Sequence, residues 1–216
     1  MNYFAHAISF LDRPYFAAGT GVPDWLSVCD RSVRLRGKHV EAFTPGEDRQ
    51  AAEVVGGILR HIRDDRVFHQ SRPFAELSLK LTVEARDALE PDAGFRPGFL
   101  GHLLVEVLLD ASLAAENPHL LDEYYRVMKS VDAVVVESTV NRIGPRRTDR
   151  LAVMISRFLQ ERILYDYLED AKLMVRLNQV MRRVKLPLLP DGFVEVLPRA
   201  REMVQRHREE LLEGIF

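Results

Sequence analysis

The chain has 216 residues, of which 47% are hydrophobic and 29% are charged, the proportions of an ordinary globular protein. Its length is enough for one domain with a buried core, and we predict a single domain over residues 1–216. A formal net charge of −2 provides no general attraction to nucleic acid, so we expect no nucleic-acid partner.

The sequence shows no sign of export or of membrane insertion. Cys29 is the only cysteine, which excludes an intramolecular disulfide and fits a reducing compartment. The first residues, MNYFAHAISFLDRP, lack a basic region, and His6 and Asp12 interrupt their apolar run. No run of about 18 apolar residues is free of charge. We therefore expect a cytoplasmic protein without a membrane partner.

Helical patterns dominate the first half of the chain. An apolar helix around His6 is followed by a glycine-containing segment, 19–24, which we predict to be a tight loop that ends in Asp24. Thr44-Pro45 predicts the start of a helix that continues through Ile62.

The second half is also helical in pattern. Asn117-Pro118 predicts the start of a helix that continues over 120–137, because asparagine caps helices and proline is tolerated at their first position. Apolar residues over 151–184 indicate two helices or one kinked helix, and Pro198 predicts a last helix that ends near Gly214. Strand patterns are scarce, so we predict an all-α, single-domain helical bundle of roughly eight helices.

The segment 99–115, FLGHLLVEVLLDASLAA, is apolar except for a polar stripe at four-residue spacing, His102, Glu106 and Asp110. A buried carboxylate needs a compensating partner, and a cation in the core of a helical bundle provides one. The alternative is that the stripe faces solvent, but the apolar arc is too wide for an ordinary surface helix.

A second stripe, His61, Asp65 and His69, steps by four residues through 54–69. Histidine and a carboxylate one helical turn apart reach the same point in space, which suits a metal ion. The neighbouring charges Arg60, Arg63, Asp64 and Arg66 fall on other faces and are interpreted as a solvated surface. Gly56-Gly57 indicates close approach by another element or by a ligand.

His6 and Asp24 extend this set of ligands. His6 lies on an apolar helix, where a lone histidine is more often a satisfied core residue than a ligand. Asp24 follows Pro23, where an aspartate commonly caps a helix or a turn.

Imidazole and carboxylate groups together suit Mn²⁺, Fe²⁺ or Zn²⁺. The set is large enough for one or two ions, and two ions suit hydrolysis of a phosphate ester, since one activates water while both neutralise the developing charge. Asp24 and Asp65 are the candidate catalytic carboxylates. The candidate metal ligands are His6, Asp24, His61, Asp65, His69, His102 and Glu106.

The segment 142–162 is rich in arginine, and three of these arginines lie just before the helical pattern that begins at residue 151. A solvated helix face is the common explanation for such a run. The alternative is a phosphate-binding site next to the helix start. Its candidate residues are Arg146, Arg147 and Arg150.

Four segments resemble the acyl carrier protein phosphodiesterase family: MNYFAH, GTGVPD, VVGGILRHIRDD and GFLGHLL, in this order within about the first 115 residues. The resemblance implies an all-α fold and Mn²⁺-dependent hydrolysis that releases 4′-phosphopantetheine from the serine of holo-acyl carrier protein. By position, the residues that correspond to the motifs of this family are His6, Asp24, His61, Asp65 and His102.

A more distant similarity links the stripes to zinc-dependent phospholipase C and P1-type nucleases, whose metal sites use His-x-x-x-Asp and His-x-x-x-Glu helices. The chain also departs from the phosphodiesterase pattern. It has Phe68-His69 where that family tends to have Thr-Asp, and Gly101 where an aspartate precedes the later histidine. Glu106 has no counterpart in the pattern of that family. We therefore expect the metal site of this chain to be built differently from the site of the family.

Three functional hypotheses follow. The first is a metal-dependent phosphodiesterase, with a phosphodiester substrate that includes acyl carrier protein as a candidate. The second is a non-catalytic helical binding module in which the histidines and carboxylates form buried hydrogen bonds. The third is a metal-dependent hydrolase of a different ester or amide.

Overall fold

A computed structural model describes residues 1–215, and all of their regular secondary structure is helical, which confirms the all-α prediction. These residues form thirteen α-helices rather than roughly eight, with two 3₁₀ segments, Ile8–Phe10 and Asp191–Val196. The α-helices are α1 (Tyr3–Ala7), α2 (Pro14–Cys29), α3 (Gly37–Glu41), α4 (Arg49–Gln70), α5 (Arg72–Asp87), α6 (Pro97–Glu116), α7 (Pro118–Lys129), α8 (Ala133–Ile143), α9 (Leu151–Glu161), α10 (Ile163–Asp166), α11 (Asp170–Arg183), α12 (Leu197–Arg206) and α13 (Arg208–Leu212).

The helices are more numerous because local capping residues divide the long predicted ones. The single helix predicted over 120–137 is wrong: the Asp132 side chain accepts a hydrogen bond of 2.8 Å from the Val134 amide and begins α8 separately. The stretch 151–184 contains three helices, since Arg162 adopts a left-handed conformation (φ 49°) and ends α9.

Helix α4 begins four residues later than Thr44-Pro45 predicted. Asp48 supplies the start, because its carboxylate accepts a hydrogen bond of 3.0 Å from the Ala51 amide. An acidic side chain at this position also interacts favourably with the positive end of the helix dipole.

The loop predicted over 19–24 is wrong, because these residues lie inside α2, with Pro23 within the helix. Close packing explains the glycines. A Cβ atom at Gly19 would lie 2.3 Å from the Val54 carbonyl oxygen, and one at Gly57 would lie 2.1 Å from the Phe16 carbonyl oxygen. The backbones of α2 and α4 therefore touch, as Gly56-Gly57 indicated, and this packing outweighs the low helix propensity of glycine.

The described chain divides into two compact units. The N-terminal unit contains Asn2–Arg66 and Asn117–Arg162. The C-terminal unit contains Met1, Val67–Glu116 and 163–215. The single domain proposed from the sequence stays a prediction.

An aromatic core holds the N-terminal unit together. Trp25 is fully buried, stacks on Tyr3 with ring centroids 6.0 Å apart, and meets Phe158 edge-on at 5.5 Å. Large aromatic side chains contribute most of the buried area in such a core. Because Tyr3 lies on α1 and Trp25 on α2, this core also fixes the short helix that carries His6.

In the C-terminal unit, α5 packs along α6. A Cβ atom at Gly101 would lie 2.4 Å from the Thr82 hydroxyl oxygen and 2.5 Å from the Ser78 carbonyl oxygen, so only glycine fits here. Helix packing thus explains why no aspartate precedes His102.

Helix α6 is also the one helix of the described residues that is long and apolar enough to cross a membrane. However, 61% of its most apolar window is buried. The core helix of a water-soluble protein meets the same criterion.

Candidate metal centres

The first cluster consists of His6, His61 and Asp65, all within the N-terminal unit. His6 comes from α1, while His61 and Asp65 lie one turn apart on α4. Each residue offers one ligand atom, and the three atoms lie within 4.8 Å of one another. This is the combination of two imidazoles and one carboxylate that the stripe of His61 and Asp65, together with the N-terminal helix, predicted.

The His61 ring is held in one tautomer by the backbone. Its Nδ1 atom lies 2.9 Å from the Thr20 carbonyl oxygen, which can only accept a hydrogen bond, so Nδ1 carries the proton. In the neutral ring, Nε2 therefore presents a lone pair, and it lies 3.4 Å from a carboxylate oxygen of Asp65. Two electron-rich atoms that face each other favour a cation between them.

The imidazole ring of His6 is buried and makes no hydrogen bond, although it lies near two carboxylates. Its side chain has no exposed surface, and among the described residues neither ring nitrogen has a hydrogen-bond partner. Nε2 lies 3.3 Å from the second carboxylate oxygen of Asp65. The rings of His6 and His61 lie only 4.1 Å apart, with 30° between their planes. Buried ring nitrogens without a hydrogen bond are uncommon, and a bound ion satisfies them.

The electrostatics of the first cluster keep Asp65 ionised. Burial alone raises the pKa of this carboxyl group, but the His6 and His61 rings lower it by more when the ring nitrogens that face Asp65 carry protons, so the pKa lies well below its ordinary value. An ionised carboxylate is the form that binds a metal ion.

The sequence interpretation missed Asp64 and Arg60 as part of this cluster. Asp64 is 2% exposed, not part of a solvated surface. One of its oxygens accepts a hydrogen bond of 2.6 Å from Arg60 and lies 4.0 Å from the Nδ1 atom of His6. The His6 ring thus lies between two carboxylates, Asp64 on one side and Asp65 on the other.

The second cluster consists of His69, His102 and Glu106, all within the C-terminal unit. Their ligand atoms also lie within 4.8 Å of one another. The Nε2 atoms of His69 and His102 lie 2.9 and 3.3 Å from the same oxygen of Glu106, and the Met1 amino nitrogen lies 3.3 Å from it. His102 and Glu106 are one turn apart on α6, as the stripe of His102, Glu106 and Asp110 predicted.

An aromatic side chain fixes the two rings of the second cluster. The rings of His69 and His102 are stacked 4.9 Å apart, and Phe74 meets each of them edge-on at 4.9 Å. Phe74 lies in the first turn of α5. Its contact with His69 and His102 could not be predicted from the sequence, because no spacing rule relates residues of α5 to residues of other helices.

Glu106 is also ionised. Burial alone raises the pKa of its carboxyl group, but the Met1 amino group, His102 and His69 together lower it by more, so the pKa lies below its ordinary value.

Each cluster provides two imidazoles and one carboxylate, a donor set that suits Zn²⁺, Fe²⁺ and Mn²⁺. Three protein ligands leave open positions on such an ion, as catalytic metal sites require. The donor chemistry, the fixed tautomer of His61 and the buried ring of His6 therefore fit a divalent cation.

The candidate ligand Asp24, and Asp110 of the stripe on 99–115, lie outside both clusters. Asp24 is half-buried within α2, and Asp110 is buried on α6. The expectation that Asp24 is presented by a loop is wrong, because α2 continues past it. Its predicted roles as a ligand and a catalytic residue stay predictions.

The three candidate phosphate-binding arginines are exposed and precede or begin α9. Arg147 lines an open groove of about 280 Å³ along α8, together with Glu137 and Arg142. A Glu137 oxygen accepts a hydrogen bond of 3.0 Å from the Ala152 amide, in the first turn of α9. This helix start thus already has an anionic partner. The candidate metal ligands of the two clusters lie on other helices, α1, α4 and α6.

A comparison with family models, with curated proteins and with solved structures finds no match for the chain.

Proposed function

We propose that this protein is a metal-dependent hydrolase of phosphodiesters, and that the two clusters hold its divalent ions. The first cluster carries this proposal, because His61 directs a lone pair towards Asp65 while the buried ring of His6 has no hydrogen bond. A purely structural group of histidines would pair each ring nitrogen with a donor or an acceptor.

The ion would be held by His6, His61 and Asp65 in the first cluster, and by His69, His102 and Glu106 in the second. When bound, such an ion polarises the phosphoryl group and lowers the pKa of a water molecule to near neutrality. The protein supplies the orientation: the Thr20 carbonyl fixes the His61 ring, and Phe74 fixes His69 and His102. The carboxylates supply the negative charge that holds the cation.

We further propose, on the motifs alone, that the phosphodiester is the one that links 4′-phosphopantetheine to acyl carrier protein. The motif positions that form part of a cluster are His6, His61, Asp65 and His102. This finer proposal and the family assignment rest on the resemblance of four short segments.

Metal analysis and a hydrolysis assay test the proposal. The purified protein is dialysed, reconstituted separately with Mn²⁺, Fe²⁺ and Zn²⁺, and analysed by mass spectrometry for bound metal. We expect stoichiometric metal and metal-dependent hydrolysis of bis-p-nitrophenyl phosphate and of holo-acyl carrier protein. Substoichiometric metal after every reconstitution contradicts the enzyme proposal and favours the binding module. Hydrolysis of neither phosphodiester by the metal-loaded protein favours a different ester or amide.

Asp64→Asn is expected to weaken metal binding by about 10-fold to 100-fold, the usual effect of removing a group that orients a metal ligand. The substitution keeps the size of the side chain but removes the negative charge 4.0 Å from the Nδ1 atom of His6. The dissociation constant for Zn²⁺ is measured by competition with a chromogenic chelator. Glu53→Ala, which removes a carboxylate of α4 that pairs with Arg13, is the control. Equal affinity in both variants would show that Asp64 does not act on His6.

A further inference from the structure

The two clusters share a donor set but differ in how their ligands are enclosed. In the first cluster the exposed fractions of the side chains are 0% for His6, 5% for His61 and 31% for Asp65. In the second cluster they are 29% for His69, 44% for His102 and 19% for Glu106. Both imidazoles of the first cluster are therefore shielded from water, whereas both imidazoles of the second cluster are open to it.

The clusters also differ in what holds the rings. The His61 ring is hydrogen-bonded through Nδ1 to the Thr20 carbonyl, an outer contact of the kind that raises metal affinity. In the second cluster the rings contact each other and Phe74, and their hydrogen bond or ion pair to Glu106 is made through Nε2, the candidate ligand atom itself, not through an outer contact.

From these differences we infer that the protein binds two divalent ions of unequal lability, a retained ion in the first cluster and an exchangeable ion in the second. The enclosed imidazoles of the first cluster must move or lose their outer contact before the ion leaves. The ligands of the second cluster are directly accessible to water and to a competing chelator.

The accessibility of the second cluster also assigns it a role. An ion held by His69, His102 and Glu106 would be accessible to a substrate phosphate, as in catalytic sites with three protein ligands. We therefore assign contact with the phosphodiester to the ion of the second cluster. This assignment rests on the proposed function, whereas the difference in lability does not.

Metal release provides the test. The protein is loaded with Zn²⁺, mixed with a chromogenic chelator, and the release of metal is followed with time. We expect two phases of equal amplitude, with the rate of the slow phase at least about 10-fold below that of the fast phase. This factor is the lower end of the usual effect of an outer-shell contact on metal affinity. His102→Ala is expected to remove the fast phase alone, and His61→Ala the slow phase alone. His119→Ala, which removes an exposed histidine outside both clusters, serves as the control.

Each result has a distinct meaning. A single phase, or loss of the slow phase in His102→Ala, overturns the inference. Far-ultraviolet circular dichroism of each variant separates the loss of a site from the loss of the fold. Two phases without any phosphodiester hydrolysis contradict the proposed function but leave the difference in lability intact. Hydrolysis that persists in His102→Ala contradicts the role assigned to the second cluster.

Discussion

Asp65→Ala is expected to abolish metal binding in the first cluster. The affinity of this site for the metal should fall by at least about 100-fold, because loss of a ligand costs more than loss of an outer-shell contact. The Asp65 carboxylate is the one negatively charged ligand of this cluster, and its two oxygens face His6 at 3.3 Å and His61 at 3.4 Å. Without it, two neutral imidazoles must hold the cation alone. Mass spectrometry of the reconstituted variant measures the remaining metal.

A matched control comes from the same helix. Glu53 lies on α4 and pairs with Arg13 at 2.8 Å, both side chains being partly exposed. An exposed ion pair contributes at most about 1 kcal/mol to stability, so Glu53→Ala should keep the fold and the metal content. Full metal occupancy in Asp65→Ala would mean that the first cluster is not a metal site.

Gly57→Ala is expected to destabilise the protein by about 3 kcal/mol, the upper end of the usual cost of overpacking. The added Cβ atom would lie 2.1 Å from the Phe16 carbonyl oxygen and 2.8 Å from the Thr20 amide nitrogen. These are backbone atoms, which cannot rotate away, so α2 and α4 must separate. The greater helix propensity of alanine offsets only about 1 kcal/mol of this cost. Urea unfolding, followed by circular dichroism, measures the loss.

Alanine substitutions at two further glycines, Gly56 and Gly37, serve as controls for Gly57→Ala. At Gly56 the added Cβ atom meets only ring carbons of Phe16, the nearest at 2.9 Å, and a side chain yields more readily than backbone. At Gly37 the nearest atom is the end of the flexible Glu41 side chain, at 3.7 Å. We expect the loss of stability to fall from Gly57→Ala to Gly56→Ala to Gly37→Ala. Equal unfolding midpoints in the three variants would contradict the close approach of the two helices.

The parts of the site that could be predicted are those that depend on spacing along one helix. His61 with Asp65, and His102 with Glu106, each lie one turn apart on a single helix, and a four-residue step determines that. His6 depends on the family resemblance, because its apolar helix by itself favours a core histidine, and the fold places it in the first cluster.

The parts that could not be predicted depend on contacts between distant segments. The stripe of His61, Asp65 and His69 is divided, since His69 joins His102 and Glu106. Asp64 differs from Asp65 by one position, yet its burial beside Arg60 is decided by packing and not by sequence pattern.

The helical state of 19–24 was missed for the same reason. Glycine and proline disfavour a helix locally, and only the approach of α4 reverses that preference.

The buried position of Trp25 has a consequence for spectroscopy. It is the only tryptophan of the chain and lies in the aromatic core of the N-terminal unit, without exposed surface. Its fluorescence therefore reports on that unit alone, whereas circular dichroism reports on the helices of both units. A comparison of the two signals during denaturation distinguishes one cooperative transition from two.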